Sequence, residues 1–122
     1  WSSNNIVLIG DSLHTAHFSI GSGTRLAMED SISLYKSLKA NPTNIDEAIV
    51  QYAKSRRPQL EKLVSASVAS AHWYEKMDVL MRTLSPYEFA RSYMTRTGRI
   101  SDEKLKKIAP RFMEEYMLSQ TE

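Results

Sequence analysis

The sequence predicts a fragment of an α/β (or α+β) fold, in which one buried strand is followed by a mainly α-helical region. We predict the strand at Asn5–Asp11, because Ile6–Ile9 is an unbroken aliphatic run that ends at a Gly-Asp pair. Helical spacing of apolar residues dominates the rest of the chain. One strand cannot satisfy its own backbone groups, so we expect partner strands upstream in a longer polypeptide.

The segment after the strand combines a glycine-bearing loop with a helix. The loop is predicted from Ser12 to about Ser22. The helix is predicted from about Thr24 to Lys39, and Asn41-Pro42 ends it. Its apolar stripe consists of Leu26, Ala27, Ile32, Leu34, Tyr35 and Leu38.

Further helices follow from capping and breaking signals. Thr43 and Asp46 have the spacing of a capping box, and Pro58 is expected to break or kink the helix that they start. Ser85-Pro86-Tyr87-Glu88 is a strong helix start. The remaining predictions are a helical segment from Pro58 to about Arg82, a break at Thr95–Gly98, a helix start at Ser101, and a last turn or helix from Pro110 through Met117. We divide the chain into residues 1–40, which hold the strand, the glycine loop and the first helix, and a helical region of residues 41–122.

Composition narrows the class of protein. The 122 residues contain no cysteine, which excludes disulfides and thiolate metal sites, and no His, Asp or Glu spacing is typical of a metal site. A net charge of +2 does not favour nucleic acid as a partner. No apolar run is long enough for a membrane span, and no signal peptide is visible. We therefore expect a cytoplasmic protein.

The segment from Ile6 to Asp30 has the residues of a ligand site. Asp11 follows the carboxyl end of the predicted strand, where α/β proteins collect ligands, and its carboxylate can accept hydrogen bonds from sugar or polyol hydroxyls. The glycine loop leads into a helix N-terminus, which suits a phosphate or a delocalised anion. The alternative for Asp11 is an ordinary acid in a turn or helix cap, and Gly21 and Gly23 are equally compatible with simple turns.

This segment resembles a known cofactor fingerprint. The spacing Gly10-Asp11-x-x-His14, Gly21-x-Gly23 and Asp30 is similar to the second FAD motif of class A flavoprotein monooxygenases, the para-hydroxybenzoate hydroxylase-like enzymes. Tyr52-x-x-x-Arg56-Arg57-Pro58 resembles a helix that these enzymes carry downstream.

The resemblance implies that the chain is the C-terminal part of an FAD-dependent enzyme that hydroxylates an aromatic substrate with NAD(P)H and O2. It also implies that residues 1–40 are the C-terminal segment of a split FAD-binding domain. It implies FAD contacts at Gly10, Asp11, Gly21, Ser22, Gly23 and Thr24, with His17 and Phe18 on the substrate side. We predict no catalytic side chain, because flavin hydroxylation needs no protein nucleophile. The chain by itself is expected to be inactive, since it has no Gly-x-Gly-x-x-Gly for the pyrophosphate.

The loop His17–Thr24 is similar to that of the salicylyl-CoA and anthraniloyl-CoA monooxygenase branch, and so is the tail around Tyr93–Ile100 and Pro110–Phe112. This similarity implies a small aromatic substrate in the form of an aryl-CoA thioester. A free indole or phenol, as in the tryptophan hydroxylases of violacein biosynthesis, is the alternative substrate. A non-catalytic helical interaction module is the alternative from another class. His14 fits a structural role better than a catalytic one, and the role of His17 stays open.

Overall fold

The computed structural model describes residues 1–4 and 6–121, and most of that span is helical. The elements are β1 (Ser2–Ser3), β2 (Ile6–Val7), two short 3-10 turns (Gly10–Ser12 and Phe18–Ile20), α1 (Gly23–Ala40), α2 (Ile45–Glu75), α3 (Met77–Thr83), α4 (Pro86–Thr95), α5 (Asp102–Ile108) and α6 (Pro110–Ser119). The chain forms two compact units, Trp1–Val68 and Ala69–Glu122. The division predicted between residues 40 and 41 concerns domains of a parent protein and stays a prediction.

The predicted buried strand is wrong in length and in burial. β2 has two residues and pairs antiparallel with β1, with Ser2 opposite Val7 and Ser3 opposite Ile6. Ile6 is 62% exposed. The backbone groups of an extended segment must find hydrogen-bond partners. Here the partners are Ser2 and Ser3, which precede the apolar run. A two-stranded ladder of this length covers neither face of the strand. Asn5, where we predicted the strand to begin, lies outside the described residues.

α1 extends one residue beyond the prediction at each end, and its buried face matches the predicted apolar stripe only in part. Its buried residues are Leu26, Asp30 and Ser37. Ile32 and Tyr35, which belong to the predicted apolar stripe, are 51% and 62% exposed. The buried stripe therefore runs through a carboxylate, which is possible only where that charge has buried partners.

With Thr43 as its cap, α2 would begin at residue 44, but it begins at Ile45 and does not break at Pro58. Asn44 precedes the helix, and its side-chain Oδ1 accepts a hydrogen bond from the Glu47 N–H (3.1 Å), so Asn44 takes the role predicted for Thr43. The helix then continues through Pro58. Buried side chains on both sides of the proline keep one packed face, which offsets the missing backbone hydrogen bond. They are Ala48, Ile49, Tyr52, Arg56 and Leu60.

The unit Ala69–Glu122 confirms most of the predicted helix boundaries. Ser85 and Glu88 form the capping box that starts α4, and Ser101 caps α5. Gly98, with φ +68°, lies just after the end of α4. The predicted helix to Arg82 is interrupted, because α2 ends at Glu75 and α3 begins at Met77. The core of this unit includes Leu105 and Met113, and Trp73 forms a partly exposed aromatic cluster with Phe89 and Tyr93. None of the helices in the described residues has the length and apolar character that crossing a bilayer requires.

Candidate functional site

The turn at Gly10–Ser12 presents Asp11 to solvent while burying Gly10. Gly10 has φ +56°, a conformation that L side chains rarely adopt. A Cβ at this position would lie 3.2 Å from Ala27 Cβ, which is closer than ordinary van der Waals contact. The glycine predicted from the motif is therefore favoured by its backbone conformation and also by its close packing against α1.

A buried carboxylate lies behind this turn. Asp30 is fully buried, and its Oδ2 accepts hydrogen bonds from the Gly10 N–H (3.0 Å) and from His14 Nε2 (2.7 Å). Its Oδ1 accepts from Arg56 Nε at 2.7 Å. We call these four residues the Asp30 cluster. The His14 side chain is 6% exposed, which supports its structural interpretation.

The pKa of Asp30 shows which influence dominates in this cluster. Burial alone raises the pKa of a carboxyl group. Hydrogen bonds from Arg56, His14 and Gly10 outweigh burial and hold the pKa of Asp30 below its ordinary value of 3.8. The buried side chain is therefore a carboxylate at neutral pH, and it pairs with the Arg56 guanidinium.

A hydrogen bond to α2 holds the loop between the turn and α1. The His17 N–H donates to the hydroxyl of Ser67 on α2 (2.7 Å). Gly21 has φ +61° and follows the second 3-10 turn. No atom lies within 4 Å of a Cβ added at Gly21 or at Gly23, so a ligand has room to approach the backbone there.

An open cleft of about 670 Å³ lies between this loop, the Asp11 turn and the start of α1. The predicted site residues that line it are Asp11, Phe18, Gly21, Ser22, Gly23 and Thr24. Thr15, Ala16 and Ala27 complete the lining. Two predicted residues lie elsewhere: Gly10 is buried beneath the turn, and His17 lies beside the cleft with its ring 4.4 Å from that of Phe18.

The start of α1 faces the cleft without a side-chain cap. Ser22 precedes the helix and makes no capping hydrogen bond, and the first turn contains no acidic residue. The unpaired N–H groups and the positive end of the helix dipole are therefore not neutralised locally. Together with the exposed Asp11 carboxylate, the cleft offers hydrogen-bond acceptors at one side and a weakly positive helix end at the other.

Sequence reasoning identified Asp30 and Arg56 as motif positions but did not predict that they meet. Their positions in the Gly10–Asp30 and Tyr52–Pro58 motifs were the available signal, because a charged residue on a buried helix face requires a partner. Three arginines of the helical tail have side-chain partners within the chain. Arg82 pairs with Asp78, Arg91 pairs with Asp102, and Arg96 Nε donates to Ser70 Oγ.

Comparison with curated proteins finds relatives that share most of this chain. It is 39% identical over 98 residues to a salicyloyl-CoA 5-hydroxylase of Streptomyces sp., which covers 80% of the chain. It is 43% identical over 102 residues to a 3-hydroxy-4-methyl-anthranilyl-[aryl-carrier protein] 5-monooxygenase of Streptosporangium sibiricum, over 83% of the chain. A protodeoxyviolaceinate monooxygenase of Chromobacterium violaceum is 31% identical over 91 residues, 75% of the chain.

These matches cover only part of each relative. The chain spans 19% of the Streptomyces protein, 27% of the Streptosporangium protein and 24% of the Chromobacterium protein. No family model matches the chain. No solved structure matches it either.

Proposed function

This chain is homologous to FAD-dependent aromatic monooxygenases, and from that premise we propose that it supplies one part of the FAD site in a longer enzyme of this kind. The observation that carries the proposal is the cleft, which brings Asp11 together with Gly21–Thr24 at the start of α1. Asp11 and Gly21–Thr24 are separated in the sequence, and the fold brings them together as the lining of one cleft. A non-catalytic interaction module is disfavoured, because the relatives are named as hydroxylases and monooxygenases.

The residues of the cleft fit a flavin cofactor chemically. The exposed Asp11 carboxylate can accept hydrogen bonds from the hydroxyls of a polyol chain. The empty space at Gly21 and Gly23 admits a flat ring close to the backbone. The uncapped start of α1 can stabilise negative charge on an electron-rich ring edge. When bound, FAD supplies the redox chemistry by which NAD(P)H and O2 hydroxylate an aromatic ring.

The roles of the protein groups are binding, orientation and exclusion of water. Asp11 holds the polyol, and the α1 amides orient the polar ring edge. Phe18 is 84% exposed at the cleft, so a cofactor or aromatic substrate that packs on it would bury apolar surface and exclude water. We assign His17 to the substrate side because its ring packs against Phe18, although it does not line the cleft.

We propose that the rest of the FAD site belongs to an upstream part of the same polypeptide. The chain contains no Gly-x-Gly-x-x-Gly segment for the pyrophosphate, and its relatives are several times longer. The full polypeptide should bind FAD tightly and the isolated 122 residues weakly or not at all. Flavin fluorescence titration of the two proteins compares them directly. Tight binding by the isolated chain would contradict the split site.

Asp11→Ala in the full polypeptide tests the assignment of the cleft. Loss of one charge-assisted hydrogen bond should raise the FAD dissociation constant about 10- to 100-fold. Asp46→Ala is a matched control, because Asp46 is an exposed acid that does not line the cleft. An FAD dissociation constant that is unchanged in Asp11→Ala, or changed equally in both variants, argues against the site.

For the substrate, we propose a small aromatic ring carried as a thioester. Two relatives are named for substrates on CoA or on an aryl-carrier protein, which supports this class. The alternative is a free indole or phenol, since another relative is named for protodeoxyviolaceinate. NAD(P)H oxidation by the full enzyme with salicylyl-CoA, anthraniloyl-CoA and the matching free acids distinguishes them. Product must be quantified, because NAD(P)H oxidation without hydroxylation is not turnover. Hydroxylation of a free acid alone would refute the thioester proposal and leave the FAD proposal intact.

A further inference from the structure

We propose that the Asp30 cluster is a positioning device, which holds the Asp11-bearing turn in place against the start of α1. The inference rests on the proposed FAD site and extends it to residues that do not line the cleft. Asp30 and Arg56 are both buried and do not line the cleft, so we expect them to act through Gly10 and not by contact with the cofactor. They are therefore positioning residues and not catalytic residues.

The first step of the argument is the link between Asp30 and the turn. Asp30 is on α1, the helix whose N-terminus forms one side of the cleft. Its Oδ2 accepts the Gly10 N–H, and Gly10 immediately precedes Asp11. The same oxygen is 2.7 Å from His14 Nε2, just beyond the turn. One carboxylate thus binds the chain on both sides of Asp11, and the opposite walls of the cleft are joined through it.

The second step is the orientation of Asp30 itself. Arg56 Nε binds the other carboxylate oxygen of Asp30 at 2.7 Å. Arg56 Nη2 lies 3.0 Å from Glu29 Oε2 and donates to the Leu26 carbonyl at 3.3 Å. Arg56 Nη1 donates to Gln59 Oε1 at 3.3 Å. A planar guanidinium with this many fixed partners leaves Asp30 little rotational freedom, and a lysine amine could not reproduce the same geometry.

The third step is the tight packing of the turn against α1. Gly10 has a positive φ and lies close to Ala27, a residue that also lines the cleft. A small shift of Asp30 is therefore transmitted to the position of Asp11 and is not absorbed by a loose loop. Altering the Asp30 cluster should weaken FAD binding because it misplaces Asp11, although no ligand contact is removed.

A double-mutant cycle in the full polypeptide tests this mechanism. The variants are Arg56→Lys, Asp11→Ala and their combination, with the FAD dissociation constant and the thermal unfolding midpoint measured for each. Arg56→Lys keeps the charge and should raise the FAD dissociation constant about tenfold, the equivalent of one charge-assisted hydrogen bond. In the Arg56→Lys background, Asp11→Ala should then cost about threefold or less, because Asp11 is already misplaced.

The controls separate positioning from general stability. Arg57→Lys changes the neighbouring exposed arginine of α2 and should leave FAD affinity unchanged. If Arg56→Lys does not fold, His14→Ala removes one donor to Asp30 while leaving the Asp30–Arg56 ion pair, and the same cycle applies. Fully additive effects of the two substitutions on FAD affinity, or a lowered unfolding midpoint with unchanged FAD affinity, would overturn the inference. An Asp11→Ala single variant with wild-type FAD affinity is a different result. It would contradict the proposed FAD site itself, and with it the positioning role.

Discussion

Gly10→Ala is the most direct test of how the turn and α1 fit together. Gly10 and Gly21 have nearly the same backbone conformation, with φ +56° and φ +61°. They differ in surroundings, since an added Cβ meets Ala27 Cβ at 3.2 Å at Gly10 and meets nothing within 4 Å at Gly21. The pair therefore separates backbone strain from a steric contact within one loop region.

The expected magnitudes follow from these two observations. An alanine held at a left-handed φ costs about 1–2 kcal/mol, so Gly21→Ala should lose about that much stability. Gly10→Ala has the same strain and a contact closer than ordinary packing, and relieving that contact would stretch the Gly10–Asp30 hydrogen bond. Because a hydrogen bond to a charged group contributes about 1.5–3 kcal/mol, we expect Gly10→Ala to lose about 2.5–5 kcal/mol in total if that bond is broken.

The assay is the thermal unfolding midpoint of the full polypeptide, compared across Gly10→Ala, Gly21→Ala and the same two changes in an Ala27→Gly background. Ala27→Gly by itself should cost roughly 1 kcal/mol of stability, because it places a glycine in a helix. Measured relative to that background, the stability lost in Gly10→Ala should fall to about that lost in Gly21→Ala. The cost of Gly21→Ala should be the same in both backgrounds. Equal midpoints for the two single variants, or no relief from Ala27→Gly, would refute this reading of the turn.

Two further predictions concern buried polar groups of the same unit. Tyr52 donates its hydroxyl to the Leu8 carbonyl (3.2 Å), and burial with the nearby Asp30 charge raises its pKa to about 12. Tyr52→Phe should therefore cost about 0.5–1.5 kcal/mol at any pH from 5 to 9, and a denaturation midpoint equal to wild type would contradict the hydrogen bond. The lowered pKa of Asp30 means that its contribution is complete above about pH 4 and is lost as the pH falls through its folded-state value. The drop in unfolding midpoint from pH 6 to pH 3 should thus be smaller in Asp30→Asn than in wild type, and an equal drop would show that Asp30 is not the acid-sensitive group.

Short sequence motifs were sufficient to predict structure where it depends on interactions between residues close in the sequence. The capping box at Ser85 and Glu88 involves residues three apart, and it formed as predicted. Ser101 likewise caps α5 through the Lys104 N–H. The positive φ of Gly21 also follows from its residue type and its place at the end of a turn. Such features depend on the backbone of a few residues, so the rest of the fold hardly alters them.

Predictions about burial failed where the deciding partner is distant in sequence. Apolar periodicity favoured Ile32 and Tyr35 as part of the inner face of α1, yet both are exposed and Asp30 is buried. Likewise, Pro58 has a strong local preference against a helix interior, but packing of Tyr52 and Leu60 on either side carries α2 through it. At Pro58, tertiary contacts outweighed a local propensity of about 3 kcal/mol, and in α1 they decided which face is buried.

The sequence by itself determined the motif string, its resemblance to flavin monooxygenases and most of the helix starts. Only the tertiary structure decided that Asp11 faces a cleft while Gly10 is buried against Asp30, and that Arg56 from α2 completes the cluster. The physical reason is that burying a carboxylate is favourable only when its partners are already in place. Those partners lie 20 residues before it and 26 residues after it, so no local pattern can indicate whether they meet.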